Sequence, residues 1–160
     1  MKALTFLLLL AGLASSALAA GTPEAPPSTA ADPRSELGPL TAVRLFADVE
    51  GAWAASDAER LASLVDTTAV RIAVKPGAPL TAALTRVAAA FLLQDQLRLV
   101  RTLSFQMTRF QLDPKRRLCR GTATWTGDWG GRQGKRAVRV ALVARASNNR
   151  WFLTEIRAED

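Results

Sequence analysis

The chain has 160 residues, 49% of them hydrophobic, a formal charge of +7, a single cysteine and no histidine. One cysteine cannot close an internal disulfide, and the residue inventory leaves no usual ligand set for zinc, copper or haem, so neither metal nor cofactor is expected. The missing histidine also removes the commonest general base near neutral pH.

Lys2 precedes an apolar run over residues 3–13, and small residues follow it down to Ala17-Leu18-Ala19. That pattern predicts a secretory signal peptide cut after Ala19, and so an exported protein, periplasmic or secreted. The run is too short to span a bilayer, and with no cysteine behind it the lipid-anchored route is closed. Residues 20–39 are rich in proline, glycine, alanine, serine and threonine. Such a composition cannot bury enough surface to offset its ordering entropy, which predicts a disordered tether ahead of a domain over 40–160.

Phe46, Val49 and Trp53 share one helical face, predicting a first helix over residues 42–55 capped by Thr41. Ser56 and Glu59 form a capping pair that opens a short second helix to Val65, burying Leu61, Leu64 and Val65. Val70, Ile72 and Val74 alternate with Arg71 and Ala73 in a short strand, stopped by Pro76, Gly77 and Pro79. Thr81 is expected to cap a third helix over residues 82–94, with Leu84, Val87, Ala88, Phe91 and Leu92 as its apolar stripe. Alternation then resumes in Leu103, Phe105 and Met107 and changes phase to Phe110 and Leu112. A bulge near Thr108 and Arg109 accounts for the change.

Residues 118–127, 136–145 and 150–157 alternate with period two and are separated by clusters of Gly, Asn, Asp and Pro, the pattern of half-buried strands in a meander. Cys119 falls on the core-facing side, where a buried thiol behaves as a small hydrophobe. Between Arg98 and Arg150 the acids are only Asp113 and Asp128, so the sheet half is strongly basic.

The order helix, short helix, strand, helix and long meander resembles the nuclear-transport-factor-2-like (NTF2-like, cystatin-like cone) superfamily. The resemblance rests on Phe46, Trp53, the Ser56-Asp57 corner, Leu61, residues 70–74, Phe91 and the closing strand over residues 151–156. It is greatest to small exported bacterial domains of unknown function. It implies an α+β fold, N-terminal helices packed on a curved antiparallel sheet, with a pocket at the wide end of the cone. It would aim Phe46, Trp53, Phe91, Met107, Trp125 and Leu142 at this cavity or at the core beneath it. Arg109, beside the expected bulge, is the charged residue to suspect of turning inward.

Enzymes of the superfamily, such as ketosteroid isomerase, use an inward carboxylate base with a Tyr, His or neutral acid stabilising the oxyanion. Tyrosine and histidine are absent here, so a non-catalytic domain is expected, binding a small apolar ligand or a partner protein. A small enzyme using the cone pocket is the alternative.

Apolar residues on both faces of the last strands, Ala141 and Val143 against Val140 and Leu142, Trp151 and Leu153 against Phe152 and Ile156, suggest a sheet-to-sheet homodimer. Lys115, Arg116, Arg117, Arg132, Lys135 and Arg136 lie on or beside two strand-connecting loops. If those loops share one rim, with Trp129 at a tip, they would suit an anionic membrane surface or polysaccharide. Nucleic acid is not expected of an exported protein.

Overall fold

The computed structural model describes residues 39–159, so the expected leader, its cleavage site at Ala19 and the tether ahead of Pro39 lie outside the described residues. The first helix, α1 (Pro39–Ala54), buries Ala42, Leu45, Phe46, Val49, Ala52 and Trp53. Steps of three and four residues place all six on one side, the face that packs on the sheet.

Ser56 ends α1 in a left-handed conformation, φ 55°. Its N–H reaches the Trp53 carbonyl and that of Asp57 the Ala52 carbonyl, each at 2.9 Å, which satisfies carbonyls the helix would leave open. Asp57 then caps α2 (Ala58–Ser63), accepting the Arg60 N–H at 2.9 Å. The cap therefore falls one residue after the expected Ser56, because an N-cap needs extended backbone and Ser56 is already used to stop α1.

Strand β1 (Arg71–Ala73) is followed by α3 (Arg86–Arg98), one turn later than the spacing predicts. The Thr81 hydroxyl accepts the Ile72 N–H at 3.0 Å, and Leu84 exchanges backbone hydrogen bonds with Val70. Residues 81–84 are thus tied to β1, and Thr85 caps the helix in place of Thr81. The shift rotates the buried face to Ala89, Leu93 and Leu97, leaving Val87 and Phe91 exposed.

Four long strands follow: β2 (Arg101–Asp113), β3 (Leu118–Asp128), β4 (Lys135–Ser147) and β5 (Arg150–Glu159). They form an antiparallel meander in the order β1-β5-β4-β3-β2. The sheet is mostly antiparallel, as expected; at one edge the short β1 runs parallel to β5. No hairpin joins those two strands, so turn geometry does not force them to oppose.

Three register shifts decide which residues face the helices. The one between Met107 and Arg109 leaves Thr108 unpaired, its hydroxyl on the Thr122 carbonyl, and brings Met107 and Phe110 to the same face as expected. A second, opposite Val143 and Ala144, makes Thr154 the extra residue of β5. It turns Trp151, Leu153 and Ile156 all into the core, so they do not divide between faces. The outer face is consequently more polar than the sequence suggests. Thr122, Thr124, Arg139 and Arg157 surround half-buried Ala141, Val143 and Phe152. A further shift at Leu103 leaves that residue exposed rather than inward with Phe105.

The core lies between α1 and the inner sheet face. Trp53 stacks on Phe105 with ring centres 4.6 Å apart and meets Trp125 edge-on at 5.3 Å. Each such pair adds about 0.5–1.5 kcal/mol beyond the area it buries. Gly121 sits beneath Phe46 and Met107, and a Cβ there would lie 2.7 Å from an atom of each.

Candidate functional site

The inner rings fill most of the space the cone could have left open. Trp53, Trp125 and Leu142 are fully buried, and Phe46 covers Gly121. Of the pocket candidates from the sequence, Trp53 and Leu142 are therefore packing residues. Phe46 and Met107 border a shallow cleft of about 360 Å³ between α1 and β2. The Glu50 carboxylate at that cleft accepts the Met107 N–H at 2.9 Å, next to the bulge. Arg109 reaches only its rim: it is exposed and pairs with Thr122, on the outer side of β3, so it does not turn inward. Phe91 lies elsewhere, on a surface groove of about 370 Å³ between α2 and α3.

A different cavity, about 410 Å³, opens at the end of the sheet where β3 passes into β4. Trp125 of β3 and Trp129 of the following loop form its aromatic wall, their ring centres 5.0 Å apart. The Trp125 indole N–H donates to the Thr102 hydroxyl at 3.2 Å, which holds that ring in place. Trp129 is half-buried rather than at the loop tip, because Gly127 gives it room: a Cβ on Gly127 would lie 3.0 Å from the Trp129 ring.

The loop folds back through left-handed glycines at 130, 131 and 134, and its ends are tied by the Trp129 N–H on the Gly134 carbonyl at 3.0 Å. Val74, Lys75 and Pro76 close a second side from the end of β1. Gln96, Leu99 and Val100 close a third from the end of α3. Leu99 is 65% exposed, an apolar side chain at the mouth.

Arg136 completes the lining from β4, with its guanidinium carbon 4.9 Å from the centre of the Trp129 ring, a cation–π contact. The polar groups around the cavity are thus two cations, Lys75 and Arg136, and two amides, Gln96 and Gln133, with no acid among the lining residues. Trp125 is the one pocket candidate from the sequence that belongs here. Lys75, Pro76, Gln96, Leu99 and Gln133 carry no motif; only Gly127 two residues before Trp129 hints at the folded-back ring.

The basic residues do not form one rim. Lys115, Arg116 and Arg117 lie in the β2–β3 hairpin and Arg132 in the β3–β4 loop, at opposite ends of the 11-residue β3. Successive hairpins of a meander necessarily emerge at opposite ends, which here are about 35 Å apart at 3.3 Å per residue. Lys135 and Arg136 sit with Arg132, and Arg136 is half-buried over Trp129.

Several carboxylates are engaged in structure. Glu155 pairs with Arg71 and Arg157, Glu159 with Arg139, and Asp48 with Arg60. Asp66 accepts from Thr68 and Asp128 from Gly130, and the Thr68 backbone N–H holds the Asp66 carboxyl below its ordinary range. Among the described residues no acid or other polar residue is buried, and no cluster of His, Cys, Asp and Glu could hold a metal ion.

No protein-family model matches the sequence, and no curated protein matches it. Solved structures do resemble the fold. A DUF4783 family protein from Bacteroides ovatus superposes with a TM-score of 0.59 at 14% identity, over 71% of this chain and 93% of its own. An NTF2-like family protein from Streptomyces avermitilis gives 0.56 at 17% identity, over 80% and 97%. A protein with a ketosteroid isomerase-like fold from Catenulispora acidiphila, solved with trimethylamine, gives 0.56 at 12% identity, over 71% and 82%. Helices on a bent, mostly antiparallel sheet, in this element order and with these neighbours, identify the described domain as an α+β NTF2-like fold.

Proposed function

We propose that this is an exported, non-catalytic binding domain whose ligand, a small molecule with a flat apolar body, enters the cavity walled by Trp125 and Trp129. The observation that carries this reading is the contrast within the cone. Its interior is packed with Trp53, Phe105, Phe46 and the fully buried Trp125, while the half-buried Trp129 ring borders an opening of about 410 Å³ that reaches down to Trp125. That volume lies within the usual range for small-ligand sites, and aromatic walls with a few polar groups are their usual lining. The absence of a carboxylate from the lining supports a binding rather than a catalytic role, since proton abstraction needs a base within hydrogen-bond reach of its substrate. A fold neighbour solved with a small molecule, trimethylamine, supports the same use of the scaffold.

The test is a titration with 2-naphthamide, a neutral flat probe, followed through the tryptophan indole N–H signals by NMR. The Trp125 and Trp129 signals should move while those of Trp53 and Trp151 stay. No movement up to millimolar probe would sink the reading. A second copy of the chain across the outer sheet face is a companion proposal, supported by half-buried Ala141, Val143 and Phe152 there. Sedimentation at micromolar concentration that finds only monomer would remove it.

A further inference from the structure

A meander brings alternate turns to the same end of its sheet, so the β2–β3 hairpin shares an end with the β4–β5 turn, opposite the Trp129 cavity. The two are tied together there: the Ala146 N–H donates to the Arg117 carbonyl at 3.1 Å, and Arg145 lies across from Leu118. The start of α1 reaches the same place, where Thr41 and Arg44 border one cleft with Asn149 and Arg150. Arg44, Lys115, Arg117 and Arg145 thus gather at one end from three elements, and all four are exposed. None of the four forms an ion pair among the described residues, while the acids on neighbouring positions are matched by other cations: Asp48 by Arg60, Asp113 by Arg116, and Glu155 by Arg71 and Arg157. Arg150 is engaged over the Phe152 ring at 5.9 Å and only adds its charge beside them.

Like charges held near one another leave this end with an excess positive field. The turns that present it are closed before any partner arrives: the Arg117 N–H reaches the Pro114 carbonyl at 3.2 Å, and Asn148 and Asn149 make a left-handed two-residue turn. The cations sit on turns, a strand end and a helix start rather than along a groove. A broad plane touches such points together, where a single extended chain would not. Leu40, in the first turn of α1, is 78% exposed, and an aliphatic side chain beside cations suits the boundary between headgroups and acyl chains. A linear polyanion that binds by stacking its rings would instead need exposed aromatic side chains. We infer that this end of the domain docks on an anionic lipid bilayer, with Arg44, Lys115, Arg117 and Arg145 facing the headgroups and Leu40 entering the interface. The surface is separate from the proposed ligand cavity and stands whether or not that cavity binds.

Each cation close to such a surface contributes about fivefold in affinity at low salt. The test is co-sedimentation with vesicles of two parts phosphatidylcholine to one part phosphatidylglycerol, against pure phosphatidylcholine, at low and at high salt. Binding should favour the anionic vesicles by about a hundredfold or more at low salt and fall steeply as salt is added. Lys115→Gln with Arg145→Gln, both exposed, should weaken it about 25-fold. Arg132→Gln with Lys135→Gln removes the same charge at the opposite end and should change it by no more than about twofold. Leu40→Gln should weaken vesicle binding several-fold and leave retention on heparin unchanged. Equal binding to neutral and anionic vesicles, or binding to neither, would overturn the proposal. Equal losses in the two double variants, with both folds intact by circular dichroism, would mean diffuse charge and overturn the assigned end. Retention on heparin without vesicle binding would make the partner a soluble polyanion and overturn the lipid assignment.

Discussion

Gly121 is the point where α1 presses closest to the sheet, and Gly121→Ala measures how tightly that contact is made. The added Cβ would lie 2.7 Å from Met107 Cε and from Phe46 Cε1, and 3.0 Å from Phe46 Cδ1. Met107 Cε is the end of a flexible chain and can swing toward the open cleft it borders. The Phe46 ring has less freedom, since it is buried and meets Phe110 edge-on at 5.7 Å.

Overpacking of this kind costs about 1–3 kcal/mol, and replacing glycine by alanine returns about 0.4–1 kcal/mol through the unfolded chain. The expected net loss is about 1–2 kcal/mol. In urea, with a slope of about 2 kcal/mol per molar, the midpoint should fall by about 0.5–1 M with the slope unchanged. Adding Met107→Ala removes one of the two clashing groups, so the double variant should lose less than the sum of the single losses, by about 0.5 kcal/mol or more. A Gly121→Ala protein as stable as the parent, or strictly additive behaviour in the double variant, would refute the close approach.

The phase of α3 is tested by Leu93→Ala, which should cost about 2–5 kcal/mol, against Phe91→Gln, which should stay within about 0.5 kcal/mol; chemical denaturation showing the reverse order would restore Phe91 to the core. Cys119 is buried, and desolvation pushes its thiol up to about 11. It should resist a thiol reagent at pH 8 until the protein unfolds, and labelling at the rate of a free cysteine would contradict its burial. The unfolded chain releases this proton first, so stability should be insensitive to Cys119 below about pH 8 and decline from about 9 towards 11, a decline that Cys119→Ala removes. Thr85→Ala should lower stability by about 1 kcal/mol through loss of the α3 cap, and no change in the thermal midpoint would argue against that cap.

How far local pattern reached can be followed in single elements. The α1 stripe of Phe46, Val49 and Trp53 and the bulge at Thr108 were both legible, because polar residues on either side of each fixed the phase. In α3 the run from Val87 to Leu93 is apolar at every position, so the helix period has nothing to lock onto. Its true face depends on Thr81 and Leu84 being claimed by β1, a contact between segments. The same holds for Trp151, Phe152 and Leu153, three consecutive apolar residues whose faces are assigned only by the Thr154 bulge opposite Val143.

The candidate site was the least legible part. Trp125 could be assigned to the inner face from alternation alone, but Trp129 in a glycine-rich loop looks like an exposed tip until Gly127 is seen to make room for it. Lys75 and Arg136 are 61 positions apart, and nothing local marks them as neighbours of one opening. Element order, strand count and the inward side of an alternating strand follow from a chain's own periodicity, because each is set by residues a few positions apart. Which apolar face is covered, which cation lines a cavity and which ring fills one are settled by competition between distant segments for the same space, and only the folded arrangement decides that competition.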